Sequence, residues 1–307
     1  MDRIKGKQLV DGLVDIRRWT REDGGMRDAL RKGHLVKLSS RYAAPRRVLR
    51  ELRQYEAKWL EAVAVGKTMP KAVLSGRSAA RVHGMWVVAT TEEPVDLVLP
   101  SGAPPPRHQW PRGCRYSRGS YVQDEVTDWG ALRLTSPVRT AVDIALRHGF
   151  REGLVALDWV LAHYPRETVE AAILARGRAR NIGVLRKAFA HAVPDSRSPF
   201  ESYARAILIE AGHLGFIVNA RVGPYVVDLL CGRLIWEIDG DTKYDGATFA
   251  RTDDMVRYER EREKDLQNMG YLVRRISPAQ LLGDEQEFLR LTRAALKLLD
   301  HQSQLAA

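Results

Sequence analysis

The sequence predicts an α/β chain, α+β overall, and three observations predict it. Runs rich in β-branched, aromatic and aliphatic residues at 225–230 and 234–239 flank a Cys231-Gly232 turn, which marks a β-hairpin. Stretches with helical spacing of apolar residues, such as 46–65 and 131–149, are interleaved with strand-like runs such as 94–100. The chain has 307 residues, more than one domain usually holds, so two or three units are expected.

Residues 5–44 read as a small helical unit that ends in a hairpin. A first helix covers 5–18. Thr20 caps a short second helix, Gly24-Gly25 makes the turn, and 26–33 is a third helix closed by Gly33. Residues 34–38 and 42–45 are strands joined by a turn. This order is the layout of a winged helix-turn-helix. In that layout Arg27, Arg31 and Lys32 face the major groove of DNA, and Lys37 and Arg41 sit on the wing. A plain solvated helix with its basic residues outward fits the same pattern.

The middle region, 46–190, continues with a charged helix over 46–65. Its apolar stripe is Val48, Leu52, Tyr55, Trp59 and Val63. Ser75 or Ser78 caps a short helix that Gly84 ends. His83 has no second ligand at i±4, so it is expected as a packed or exposed side chain, not a metal ligand. A strand at 94–100 and a Pro/Gly-rich loop at 101–113 follow. Ser136 caps the next helix with Pro137 at its first position. Two more helices are expected near 151–163 and 166–176.

The segment 191–199 reads as the domain boundary, because prolines and polar residues coincide with a change of charge sign. Residues 1–190 hold 34 Lys+Arg against 20 Asp+Glu, whereas 191–307 hold 15 against 18. The basic part can attract phosphates and the acidic part can hold a cation. The third unit, 198–300, opens with a helix from Ser198 to near 211. Its later elements are a highly charged helix over 252–269, a strand over 271–277 and a helix over 285–299.

The hairpin carries the chemistry. Alternate strand residues share a face, so Glu237 and Asp239 lie together. A two- or four-residue loop pairs Asp228 with Ile235 and puts Asp228 on the same side. A three-residue loop would flip it. Three clustered carboxylates repel one another unless a cation sits among them, and Mg²⁺ or Mn²⁺ fits such oxygen ligands. A solvated hairpin face explains the same acids without a metal. Glu201 also has two readings, since Ser198-x-x-Glu201 is a capping box.

Cys114 and Cys231 cannot make a disulfide framework, and no Cys/His cluster suggests zinc. No apolar run reaches 18 residues and the start has no signal-peptide core. A cytoplasmic protein with no membrane partner is expected.

The C-terminal motifs SPFES (198–202), VVDLL (226–230), WEIDGDTKY (236–244), YEREREKDLQNMGY (258–271) and LVRRI (272–276) occur in a telling order. They resemble the uncharacterised domains related to very-short-patch-repair endonucleases, within the PD-(D/E)XK nuclease superfamily. That resemblance implies a restriction-endonuclease-like domain with a mixed central sheet. Glu201, Asp228 and Glu237 would be its acidic residues, with Asp239 two positions on. The superfamily usually has lysine where this chain has Asp239. Lys243 is then either a displaced catalytic lysine or a surface lysine. AVLSGRSAARVHGMW (72–86) and LTSPVRTAVDIALRHG (134–149), with the winged-helix start, resemble AbiEi-type antitoxins. This implies DNA binding and, possible beside it, a cognate toxin as partner.

Two functions are therefore expected as alternatives. One is a Mg²⁺- or Mn²⁺-dependent DNA endonuclease acting in defence or repair, with Glu201, Asp228, Glu237, Asp239 and Lys243 as its site. The other is an antitoxin-type transcriptional regulator with an inactive nuclease-like domain.

Overall fold

A computed structural model describes residues 1–20, 23–119, 121–239 and 253–305. The chain is α/β, α+β overall, with three separate sheets among the described residues. It divides into two compact units, Met1–Ala190 and His191–Ala307.

The first unit begins with α1 (Arg3–Asp11), β1 (Val14–Asp15), α2 (Gly24–Arg31), β2 (Leu35–Lys37) and β3 (Tyr42–Pro45). The strands form a sheet in the order β1-β3-β2. The hairpin β2–β3 forms where the strand pattern places it. The helices differ from expectation. Asp2 caps α1 by accepting from the Ile4 and Lys5 amides, and the helix stops at Asp11 because β1 takes up the next residues to pair with β3. No helix occurs among the described residues of 12–23. Thr20 instead donates to Asp23 Oδ2 through its amide at 2.6 Å and its hydroxyl at 3.1 Å. The pair Gly24-Gly25 opens α2 and does not form a turn before it.

The expected helix 46–65 is two helices, α3 (Arg46–Glu51) and α4 (Gln54–Thr68). Leu52 adopts an extended conformation between them (ψ 139°), so its residues fall out of one continuous stripe and Tyr55 is 40% exposed. Glu56, buried at the start of α4, accepts from Lys5 Nζ at 2.6 Å and from the Arg53 amide at 3.0 Å. Trp59, Leu60 and Val63 of α4 share one core with Leu9, Val10 and Leu38 of the first 45 residues. The first 45 residues thus pack into the same body as the middle region.

That body continues with β4 (Val73–Leu74), α5 (Gly76–His83), β5 (Val95–Val98), β6 (Cys114–Tyr116), β7 (Val126–Trp129) and β8 (Leu132–Thr135), in the sheet order β6-β5-β4-β8-β7. Gly84 ends α5 in the left-handed region (φ 75°) and satisfies its last carbonyls. Next come α6 (Pro137–His148), α7 (Phe150–Leu161), α8 (Arg166–Leu174) and α9 (Ile182–His191). Ser136 caps α6 as its sequence requires, with Pro137 following. Gly153 lets α7 approach α6, since a Cβ there would lie 2.6 Å from Ala145 Cβ.

The second unit contains α10 (Pro199–Glu210), β9 (Ile217–Val222), β10 (Tyr225–Cys231), β11 (Leu234–Ile238), α11 (Asp253–Asn268), β12 (Leu272–Ile276), α12 (Pro278–Gly283) and α13 (Glu285–Leu305). Its mixed sheet has the order β12-β11-β10-β9, with β12 parallel to β11 and the other pairs antiparallel. All five residues of β11 are buried. Trp236 packs on Phe288 of α13 and donates to Thr292 Oγ1 at 3.1 Å, while Ile235 on the other face packs with Leu266 of α11. Among the described residues, no helix is long and apolar enough to cross a membrane.

Candidate functional site

The hairpin turn is Gly232-Arg233, one residue beyond the expected Cys231-Gly232, because Cys231 pairs with Leu234. Gly232 supplies the positive φ (57°) that the first position of such a turn needs. The shift leaves the parity unchanged but alters the partners. With Leu229 opposite Trp236, Asp228 falls opposite Glu237 and not Ile235. The same rung extends to both edges. Asn219 falls opposite Asp228 on β9, and Arg275 pairs with Glu237 on β12. One transverse row therefore reads Asn219, Asp228, Glu237, Arg275.

Two helices tie side chains into this row. Ser198 caps α10 by accepting from the Glu201 amide at 3.1 Å. The reciprocal arm of the expected box reaches one residue further, because Glu201 Oε2 accepts from the Arg197 amide at 2.9 Å. The same oxygen accepts from Asn219 Nδ2 at 2.8 Å. Asn219 holds a left-handed backbone (φ 48°) within its strand, a conformation that asparagine tolerates better than most residues. From α11, Arg262 donates to Glu237 Oε1 at 2.7 Å and to the Val226 carbonyl at 2.9 Å.

The electrostatics follow from burial. Glu237 is only 8% exposed, which excludes a solvated hairpin face at this residue. Burial and the charge of Glu237 push the Asp228 carboxyl up to about 7, against the pull of the Ile238 amide, which donates to Oδ2 at 2.7 Å. Burial also raises Glu237, and Arg262 opposes it. Asp239 is drawn elsewhere: it faces Arg275 at 3.6 Å, and Arg275 also meets Glu259 and Glu263 of α11.

Among the described residues, no group of three His, Cys, Asp or Glu side chains could hold a metal ion. The expected three-acid pocket thus reduces to a facing pair. Asp228 Oδ1 and Glu237 Oε2 accept no hydrogen bond from the described residues, so one oxygen on each carboxylate can still take a cation. Mg²⁺ commonly binds through one or two carboxylates and several waters, so this donor set fits. Lys243 lies outside the described residues. Sequence reasoning missed Asn219, Arg262 and Arg275, and it missed the strand β9. Only strand neighbours and a helix 25 residues away bring those side chains to the acids.

The basic residues of the first unit form a second feature. A cavity of about 460 Å³ between α2 and β2 is lined by Arg27, Arg31, Lys37 and Arg46. Arg31 pairs with Asp28 at 2.9 Å, and Lys32 is exposed outside the cavity lining. Arg41 differs from the rest: its guanidinium is held by Asp15 on β1 at 2.8 and 2.9 Å. That bond also lowers the Asp15 carboxyl. Arg46 had no signal in the sequence beyond its charge.

No family model matches the chain, and no curated protein matches it. The class that fold and site define is an α/β chain with a basic hairpin unit and a facing carboxylate pair, one buried and one half-buried, on a mixed sheet.

Proposed function

We propose that the chain acts on DNA, and that its C-terminal unit is a metal-dependent phosphodiesterase of the kind its motifs resemble. The observation that carries this reading is the pair Asp228–Glu237. A half-buried and a buried carboxylate face each other across a ladder, each keeps one oxygen without a hydrogen bond from the described residues, and Asp228 is raised to about 7 by burial and by Glu237. A fold gains nothing from this repulsion, and a divalent cation relieves it. An ion held there supplies a water of lowered pKa and positive charge for the phosphate oxygens.

The chain's own residues would do the rest. Asp228 and Glu237 hold the ion. The Ile238 amide and Arg262 fix one oxygen of each carboxylate, so the other is aimed. Glu201 anchors Asn219 beside Asp228. Arg27, Arg31, Lys37 and Arg46 attract the backbone of the substrate.

The test is a plasmid-nicking assay with Mg²⁺ or Mn²⁺, run on the wild type beside Glu237→Ala. Cleavage by the wild type alone supports the reading. No cleavage of any DNA form by the pure protein would defeat it.

One observation favours a second reading. Arg262 and Arg275 already neutralise Glu237 and Asp239, and Asp239 stands where the resemblance expects lysine. Such a domain can be an inactive nuclease-like body in an AbiEi-type antitoxin or regulator. That reading expects sequence-specific DNA binding without cleavage and no Mn²⁺ site that depends on Asp228. A cognate toxin that binds this chain would add to it.

A further inference from the structure

The motif at 72–86 contributes nothing to the DNA site, yet its last helical residues border a cavity of the first unit. The cavity has a volume of about 550 Å³ and lies among α1, Trp59 of α4, the end of α5 and the turn between β7 and β8. That volume falls within the roughly 300–1,000 Å³ that small-molecule sites occupy.

Two tryptophans form the aromatic part of its lining. Trp59 is 3% exposed and Trp129 is 40% exposed, and their rings meet edge to face with centroids 6.0 Å apart. Gly6, in the middle of α1, lets that helix lie on Trp59, since a Cβ there would sit 3.3 Å from the ring. Trp59 is therefore clamped, and Trp129 is held by its contact with Trp59 while much of its ring stays open. Gly130 begins the two-residue turn that follows Trp129, with φ 60°. Gly84 lines the opposite end. A Cβ at either glycine would meet nothing within 4 Å, so the wall has room at both points.

His83 supplies one fixed polar contact. It lines the cavity in the last turn of α5, half-buried, and its Nε2 lies 2.8 Å from the Thr135 carbonyl. A carbonyl only accepts, so Nε2 carries the proton and donates. Burial lowers the pKa of the ring, which keeps it neutral near pH 7. Nδ1 is then an acceptor, and it takes no hydrogen bond from the described residues. The remaining charged side chains of the lining are Asp2, Arg3, Lys7 and Asp11, all exposed. Two charges of each sign leave no net field to draw an ion.

We propose that this cavity binds a small neutral aromatic molecule with one N–H donor, of the indole type. Its ring lies on Trp129 and continues the edge-to-face contact that Trp59 begins, where aromatic pairs gain beyond the area they bury. Its N–H donates to His83 Nδ1. An ionised ligand finds no unbalanced charge here, and a DNA duplex cannot enter a space of this size. The inference is independent of whether the C-terminal unit cleaves DNA.

The test is calorimetric titration of the full chain with indole, benzofuran and indole-3-acetate. Benzofuran has the same fused rings with an oxygen in place of the N–H. Indole is expected to bind, benzofuran about fivefold more weakly for want of the hydrogen bond, and indole-3-acetate no more tightly than indole. Trp129→Ala, at an exposed side chain beside a turn, should weaken indole at least tenfold with an unchanged circular dichroism spectrum. Absence of indole binding by the wild type overturns the proposal, and so does full affinity in Trp129→Ala. Equal affinity for indole and benzofuran removes the His83 contact and overturns it too. Tighter binding of indole-3-acetate would assign the cavity to an anion, again against the proposal. If Trp129→Ala fails to fold, the NMR signal of His83 Nδ1 in the wild type decides. A shift on adding indole supports the site, and an unmoved signal overturns it.

Discussion

Asp228 accepts the Ile238 amide at 2.7 Å across the β10–β11 ladder, so a carboxylate is fixed one residue from the carboxylate it faces. The bond holds Asp228 close to Glu237 when repulsion would move it away. The strain is electrostatic, and it makes stability and ion binding depend on pH.

The folded Asp228 carboxyl titrates at about 7, above its ordinary 3.8, because burial and Glu237 disfavour its charge. The folded state then binds more protons than the unfolded state between these values, so this group lowers stability as pH rises through that window. Asp228→Asn keeps an acceptor for Ile238 but cannot ionise. Its stability should match the wild type near pH 4 and exceed it by about 2 kcal/mol at pH 8, after discounting for partial exposure. Denaturant melts at both pH values measure this. Equal pH dependence in the two proteins would refute the assignment.

A cation bound between Asp228 and Glu237 should reverse the pH effect. At a concentration about 100-fold above its Kd, Mn²⁺ raises stability by about 2.7 kcal/mol. The rise should be largest at pH 8, where Asp228 is ionised, and it should vanish in Asp228→Ala. Calorimetric heat that persists in Asp228→Ala and Glu237→Ala would place the ion elsewhere.

Arg262→Gln probes the second cation on this row. It leaves Glu237 without its partner, so the Glu237 carboxyl should rise further. If the pair serves catalysis, nicking should fall by about 10²-fold or more. If Arg262 only neutralises a dead site, stability falls without any activity to lose. Nicking rates and melts of the same preparation separate the two outcomes.

DNA affinity should fall steeply with salt. Each lysine or arginine that contacts a phosphate adds about 0.9 to the slope of log K against log salt. Arg27→Ala, Lys37→Ala and Arg46→Ala should each reduce that slope by about one. Arg41→Ala should reduce it less and cost stability instead, because it removes the cation from Asp15. Fluorescence anisotropy at several salt concentrations reads the slope, and an unchanged slope in all four variants would remove this surface from DNA binding.

Trp236→Ala should cost about 3–5 kcal/mol, since the ring is fully buried against Phe288 and donates to Thr292. Differential scanning calorimetry measures it. A loss under about 1 kcal/mol would mean that the unit collapses around the gap.

Local pattern carried the reading of several elements. Ser136-Pro137 started α6, Ser198-Pro199 started α10, and the β2–β3 hairpin lay where its residues alternate. These are short-range signals, set by caps and by the two-residue period of a strand. Elements whose form depends on partners were misread. Asp11 ends α1 because β1 has β3 to pair with, and Leu52 breaks the 46–65 stripe where the chain turns into α4.

The hairpin shows where that line falls within the site. Parity along two strands is a property of the sequence, and it places Asp228 and Glu237 on one face. Which residue faced which, and at what charge, was decided by the tertiary structure. The turn slid by one residue to use the left-handed freedom of Gly232, and packing buried Glu237 and half-buried Asp228. Strand neighbours and α11 then brought in Asn219, Arg275 and Arg262 from far along the chain. Burial and long-range pairing arise only when distant segments pack, so spacing along the chain cannot encode them.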